Sequence, residues 1–112
     1  MPDLEASGIT VAGFDWDDGN REKCRSHGMT AVEVEEVFRI APAVFPDTIH
    51  SASETRLRAI GPVGAGRFAF VVFTLRRGDA GMLIRPISAR WMHRREIEHY
   101  ARQTQGPSGS PD

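Results

Sequence analysis

The chain has 112 residues and a formal net charge of −1, and 40% of its residues are hydrophobic, a balance typical of one soluble globular domain. No apolar run approaches the roughly 20 residues that a membrane-spanning helix needs, so the sequence excludes a transmembrane protein. The first residues lack the basic flank and apolar stretch of a secretory signal, and the lone Cys24 cannot form an internal disulfide. We therefore expect a cytoplasmic protein without contact to a membrane.

The small net charge conceals an uneven distribution along the chain. Residues 1–55 contain eleven acidic and four basic residues, about −7, whereas residues 56–112 contain four acidic and ten basic ones, about +6. Thirteen of the fourteen basic residues are arginines, whose planar, permanently charged guanidinium suits phosphate or carboxylate. GC-rich coding would also favour arginine over lysine, whatever the function. The lopsided placement nevertheless predicts a polyanion or an acidic protein as partner.

The first half predicts a strand and two helices behind a flexible leader at residues 1–10. A short apolar strand covers residues 10–16, and Asp17 or Asp18 then caps a polar helix over residues 19–26. Gly28 can take the left-handed conformation that ends this helix.

The second helix has the clearest start signal in the sequence. Thr30 and Glu33 have the spacing of a capping box, and Met29 and Val34 occupy the two hydrophobic-staple positions around it. Apolar residues then repeat at helical spacing as far as residue 41, and Pro42 ends the helix.

The second half predicts a meander of strands and a last helix. The strands cover residues 43–45, 56–60, 67–75 and 82–88, with Pro86 at an edge, a bulge or a strand end. The last helix covers residues 89–103, and residues 104–112 form a disordered tail rich in Gly, Pro and Ser. The sequence thus predicts one α+β domain over residues 11–103, an antiparallel sheet with two N-terminal helices and one C-terminal helix.

Four segments, in the same order along the chain, resemble the BrnT family of type II toxins, relatives of RelE-type messenger ribonucleases. The resemblance spans residues 13–102, and the fourth segment is the most specific. The segments are Gly13-Phe14-Asp15-Trp16-Asp17 with Gly19-Asn20, Lys23-Cys24 and His27-Gly28; Glu54-Thr55-Arg56 with Ala59-Ile60-Gly61; Gly66-Arg67 with Val71-Val72-Phe73-Thr74; and Arg85-Pro86-Ile87-Ser88-Ala89-Arg90 with Met92-His93, Glu96 and Tyr100. The chain departs from many relatives in its first helix, where it has Cys24, Arg25 and Ser26.

The resemblance implies a RelE-like fold and a toxin that cleaves RNA and so inhibits translation. It also implies a cognate antitoxin, a BrnA-like ribbon-helix-helix protein that binds DNA, so that this chain reaches DNA only through the complex. A second hypothesis is a non-catalytic module that binds RNA or a partner on the same fold. A plain DNA-binding domain is disfavoured, because the acidic first half contains no recognisable helix-turn-helix.

RNA cleavage without a metal needs charge stabilisation at the phosphate and two proton transfers. The sequence shows no dense cluster of metal ligands and no glycine-rich phosphate loop, so we expect neither a metal nor another cofactor. Arg85 and Arg90 are the first candidates for charge stabilisation, because they bracket the predicted junction of the last strand and last helix. Alternatively, Arg90 pairs with Glu96 or Glu54 and only fixes the helix.

The candidates for proton transfer are His27, His93, Glu54 and Tyr100. Each has a structural alternative: His27 caps the first helix, His93 is a partly buried packing residue, and Tyr100 packs on its helix. The alternative for Glu54 is an ion pair with Arg56 or Arg58. His50 and His99 are expected at the surface.

Further residues could extend an RNA-binding surface by phosphate contact or base stacking. These candidates are Arg56, Arg58, Arg67, Trp91, Arg94 and Arg95. The alternatives are solvated charges for the arginines and core packing for Trp91. Trp16 is expected in the core, and Cys24 is expected to be structural rather than nucleophilic.

Overall fold

A computed structural model describes the backbone of residues 3–4, 9–39, 42–46, 55–64 and 66–104, and the side chains of residues 11–39, 42–46, 55–64 and 66–99. The predicted leader and tail fall largely outside these ranges, so the domain limits remain a prediction. The described chain contains six strands and three helices. They are β1 (Asp3–Leu4), β2 (Ile9–Phe14), α1 (Asp18–Ser26), α2 (Ala31–Arg39), β3 (Ala43–Pro46), β4 (Leu57–Pro62), β5 (Phe68–Gly78), β6 (Gly81–Trp91) and α3 (Arg94–Thr104).

The strands form one mixed sheet in the order β1-β2-β6-β5-β4-β3. The predicted α+β class and the three helices are confirmed, but the sheet is not wholly antiparallel. β2 runs parallel to β6, with Val11 opposite Met82 and Phe14 opposite Ile84. Two helices and three strands lie between β2 and β6 in the sequence, so no local turn signal predicts that these two strands pair.

The two N-terminal helices begin where their capping residues predict. The Asp17 carboxylate accepts from the backbone N–H of Asn20 at 2.8 Å, and the Asn20 side chain accepts from the backbone N–H of Asp17 at 2.8 Å. Thr30 and Glu33 form the predicted capping box of α2, and Gly28 between the helices has a φ of +86°. Met29 and Val34 are both fully buried, as the hydrophobic staple predicts. The described part of α2 ends at Arg39, and Ala41 lies outside the described residues.

The predicted start of the last helix is wrong. Residues 89–91 belong to β6, which pairs with β5 as far as Trp91 opposite Ala69, and α3 begins only at Arg94. Backbone hydrogen bonds to the neighbouring strand hold this segment extended, a constraint that local propensity does not reveal. Pro86 lies at a bulge, as one of its three alternatives predicted, because Ser88 and Pro86 pair with consecutive β5 residues and leave Ile87 as the extra residue.

The core lies between one face of the sheet and helices α1 and α2. Phe38 of α2 packs edge-on against Phe73 of β5, with ring centres 5.1 Å apart, and against Phe14 of β2 at 5.8 Å. Cys24 is fully buried in this core, and burial raises the pKa of its thiol. Among the described residues, no helix is long and apolar enough to cross a membrane.

Candidate nucleic-acid interface

The two faces of the sheet have different surroundings. Ala69, Val71 and Phe73 of β5 are fully buried on the face that α1 and α2 cover. Side chains alternate along a strand, so Phe70 and Val72 point to the opposite face, where both are only half-buried. We call this opposite side the open face. It includes the following residues, which the register places on that side and which keep part of their surface exposed: Phe45, Arg58, Ile60, Phe68, Phe70, Val72, Arg85, Ser88 and Arg90.

Arg90 lies on the open face within β6 and is held by a carboxylate from α3. Its two terminal nitrogens donate to the two carboxylate oxygens of Glu96, each at 2.8 Å, and its guanidinium carbon lies 4.9 Å from the centre of the Phe70 ring. The bonds from Arg90, and after them one from the backbone N–H of His93, lower the pKa of Glu96 to about 2, and the Glu96 carboxylate raises the pKa of Arg90. The pairing with Glu96 that the sequence suggested as an alternative is therefore present.

Arg85 lies on the same face near β2 and is also paired. It donates to Asp17 at 2.6 Å and lies 3.4 Å from an oxygen of Asp15. Two hydrogen bonds to the Asp17 carboxylate lower its pKa, the larger effect coming from the backbone N–H of Asn20 and the smaller from Arg85. Arg85 thus joins β6 to the start of α1. The prediction that Arg85 and Arg90 bracket a strand–helix junction is wrong, because both lie within β6.

Arg58 differs from these two arginines. It lies on β4, directly opposite Val72, and is half-buried. Its Nε is buried and has no hydrogen-bond partner in the part of the chain that the structure describes. An unpaired buried N–H is costly, and this distinguishes Arg58 from the two paired arginines. Arg56 precedes the same strand and is half-buried as well.

Two further candidates, Arg67 and Trp91, lie away from the open face. The register places Trp91 on the helix-covered side, where its indole N–H donates to the carbonyl of Gly28 at 3.0 Å. The Arg67 guanidinium carbon lies only 3.5 Å from the centre of the Trp91 ring. Trp16 also packs on the core as predicted, although it follows β2 rather than lying within it, and its indole N–H donates to Glu35.

The proton-transfer candidates are spread over different places. His93 precedes α3 and is exposed rather than partly buried as expected, and its backbone N–H donates to the Glu96 carboxylate that holds Arg90. His27 ends α1 as a C-cap, beside Gly28, which confirms its structural alternative. Arg94 and Arg95 are exposed in the first turn of α3, and Arg94 pairs with Glu98 at 3.8 Å. Glu54 and His50, and the side chain of Tyr100, lie outside the described residues.

The structure therefore brings together Arg58, Arg85 and Arg90, with His93 beside the last of them. No group of three or more His, Cys, Asp or Glu side chains that could hold a metal ion occurs among the described residues. Sequence reasoning missed Phe70 and Ser88. The alternation along residues 67–75 could have found Phe70, because it separates one strand into a buried set and a second set on the other face.

The fold and this surface define a class of protein, a small α+β domain whose sheet carries two helices on one face and half-exposed arginines on the other. A family model described as "Ribonuclease toxin, BrnT, of type II toxin-antitoxin system" matches residues 16–96, so the chain belongs to this family. The resemblance noted in the sequence is thereby confirmed, and a toxin of a type II system has an antitoxin as partner. Among curated proteins, none matches this chain.

Proposed function

We propose that this chain is an endoribonuclease toxin that binds RNA on the open face, cleaves it without a metal ion and thereby inhibits translation in the cytoplasm. The observation that carries the proposal is Arg58, a half-buried arginine on the open face whose Nε lacks a partner among the described residues. Arg90 lies on the same face, two strands away. Phosphate oxygens are the acceptors that an arginine fork binds best.

In the proposed reaction, the 2′-oxygen of a ribose attacks the neighbouring phosphorus while the bond from phosphorus to the 5′-oxygen breaks. The 2′-hydroxyl loses its proton to a base and the departing 5′-oxygen takes one from an acid, which leaves a cyclic phosphate and a 5′-hydroxyl end. Arg58 and Arg90 stabilise the charge that develops on the phosphorane. His93 is the described residue that we assign to proton transfer, because it adjoins the Arg90–Glu96 pair and histidine can both take and give a proton near neutral pH.

Arg85 has a different part in this proposal. Its fork is already occupied by Asp17 and Asp15, so we assign it a positioning role, holding β6 against the start of α1. Arg56 extends the basic surface beside β4. Glu54 and Tyr100 remain candidates from the sequence alone.

The antitoxin belongs to the same proposal. We infer a ribbon-helix-helix protein that covers the open face and so competes with RNA for Arg58 and Arg90. Adding purified antitoxin should displace bound RNA in proportion to complex formation. Simultaneous binding of both, with undiminished RNA affinity, would place the antitoxin elsewhere on the toxin.

The proposal is tested by incubating the purified protein with a 5′-labelled single-stranded RNA in the presence of EDTA. We expect cleavage that leaves cyclic-phosphate ends and that fails at positions carrying a 2′-deoxyribose. Arg58→Gln and Arg90→Gln should each slow the reaction about 100- to 1000-fold, the loss typical of one removed charge-stabilising donor. Arg77→Gln is the matched control, because Arg77 is exposed on β5 but lies on the other side of the sheet.

The outcomes separate this proposal from the non-catalytic alternative. RNA that is bound by the folded protein but never cut would indicate a binding module on the same fold, an alternative that the paired forks of Arg85 and Arg90 favour. Cleavage that requires a divalent metal would contradict the metal-free mechanism. An equal loss in Arg77→Gln would show that general charge, rather than the open face, determines the rate.

A further inference from the structure

The central strand of the open face carries an aromatic ring that neither the core nor the proposed cleavage uses. Phe70 lies on β5 with Ile60 of β4 on one side and Arg90 of β6 on the other. Its ring is half-buried, while its neighbours along the strand, Ala69 and Val71, are fully buried beneath the helices. Together with Ile60 and Val72 it forms an apolar patch between two arginines.

The two tryptophans cannot supply the same surface. The Trp91 ring lies on the side of the sheet that faces the helices, where its N–H donates to the carbonyl of Gly28. Trp16 donates to Glu35 of α2 and lies 5.4 Å from the Arg21 guanidinium. The register also places the half-buried Phe45 and Phe68 on the open face, but Phe70 is the one that lies directly between Ile60 of β4 and Arg90 of β6.

We propose that Phe70, flanked by Ile60 and Val72, is the platform on which one unpaired base of the RNA stacks, beside the phosphate that Arg58 and Arg90 contact. This inference rests on the proposed function and narrows its substrate class to single-stranded RNA. Bases stack on aromatic rings and on guanidinium planes, and both are present here, since the Arg90 guanidinium carbon lies 4.9 Å from the ring centre.

The sheet geometry fits a single strand that crosses it. Arg58 and Arg90 lie on the two strands next to β5, so their backbones are separated by roughly 10 Å, twice the spacing of neighbouring strands. The apolar patch lies within this gap. A duplex keeps its bases stacked inside the helix and presents only phosphates and hydroxyls to such a surface, so it cannot use the ring.

The test measures binding of a fluorescein-labelled 2′-O-methyl RNA of mixed sequence, which lacks the 2′-hydroxyl and cannot be cleaved by the proposed route. Fluorescence anisotropy is recorded for the single strand and for its duplex between 50 and 200 mM salt. Phe70→Leu should weaken single-strand binding about five- to hundredfold, the loss typical of one stacked base, and leave duplex binding unchanged. The salt dependence should keep its slope, because no phosphate contact is removed.

Phe14→Leu is the matched control, because Phe14 is a half-buried phenylalanine on the helix-covered side. It should bind both RNAs as the wild type does. Phe70→Trp provides a second variant that keeps an aromatic face at the same position, and it should retain the preference for the single strand.

Each failure has a distinct signature. If Phe70→Leu binds the single strand as tightly as the wild type while Arg58→Gln binds it more weakly, the platform is overturned and RNA binding at the open face stands. If Phe70→Trp loses affinity as Phe70→Leu does, stacking is overturned as well. Wild-type protein that binds neither RNA would overturn both this inference and the proposed function.

Discussion

The guanidinium of Arg90 donates to both carboxylate oxygens of Glu96, at 2.8 Å each, while its carbon lies 4.9 Å from the centre of the Phe70 ring. One carboxylate therefore ties α3 to the open face and at the same time neutralises the charge to which we assign the contact with RNA. The pair is accessible to water, with side chains 40% and 36% exposed, so it can exchange partners.

Removing the charge of Glu96 should strengthen RNA binding. In Glu96→Gln the Arg90 fork keeps its place on β6 but loses its competing anion, so affinity for the non-cleavable single strand should rise about two- to fivefold at 100 mM salt. Its dependence on salt should steepen by about 0.7 in the logarithmic slope, the equivalent of one more phosphate contact. Glu98→Gln removes the same charge from an exposed pair on the same helix and is the control. Weaker binding in Glu96→Gln would mean that Glu96 is needed to aim Arg90.

The same pair makes stability depend on acid pH. The pKa of Glu96 falls from its ordinary 4.5 to about 2 in the folded protein, so the unfolded chain takes up a proton first. The stabilisation is therefore complete above about pH 5 and is lost as the pH falls towards 2. Urea unfolding at pH 6, 5, 4 and 3 should show that wild type and Glu96→Gln converge in free energy of unfolding at the acid end. A constant difference across this range would contradict the pairing.

Replacing Asn20 should lower the free energy of unfolding more than replacing most other polar residues of the domain. Its amide donates to the carbonyls of Pro86 and Asp15, at 2.8 and 3.1 Å, and its oxygen caps α1 at the N–H of Asp17. Asn20→Ala should lower the free energy of unfolding by about 2–3 kcal/mol, because a buried residue loses three hydrogen bonds. Ser26→Ala, which removes one exposed hydrogen bond at the other end of α1, should change it by less than about 0.5 kcal/mol. Equal effects would show that the Asn20 bonds are replaced by water.

Trp91 should matter for stability and not for RNA. In Trp91→Phe the ring that contacts Arg67 remains, but the hydrogen bond to Gly28 is lost, at a cost of about 0.5–1.5 kcal/mol in the free energy of unfolding. Affinity for single-stranded RNA should remain that of the wild type. A loss of affinity comparable to that in Phe70→Leu would move the stacking surface to the helix-covered side.

Local signals in the sequence predicted the two N-terminal helices well. The capping residues Asp17 and Thr30 fix the starts of α1 and α2, and Gly28 separates the two helices, because these choices depend only on neighbouring residues. The long apolar strand β5 was equally visible. Two other features depend on backbone contacts with distant strands, and local propensity does not predict them. They are the parallel pairing of β2 with β6 and the extension of β6 to Trp91.

The sequence predicted only part of the candidate site, again because contacts between distant elements are not evident from it. Sequence reasoning selected Arg58, Arg85 and Arg90 from a basic half of the chain, and the register places all three on one face. It offered Glu96 as one possible partner of Arg90, but it did not reveal that Asp17 holds Arg85 or that the Nε of Arg58 has no described partner, because these relations depend on other elements of the fold. It also overlooked Phe70, because an aromatic residue in an apolar strand is expected in the core unless the elements that cover each face of the sheet are known.

The parallel pairing of β2 with β6 has a consequence for how the toxin comes into existence. β2 is synthesised early, and its parallel partner β6 follows about seventy residues later. The edge of β2 that pairs with β6 therefore stays unpaired while the residues between them are synthesised. Arg85 and Arg90 are carried by that same late strand. These two arginines can therefore join Arg58 on the open face only after β6 has been synthesised and has paired with β5.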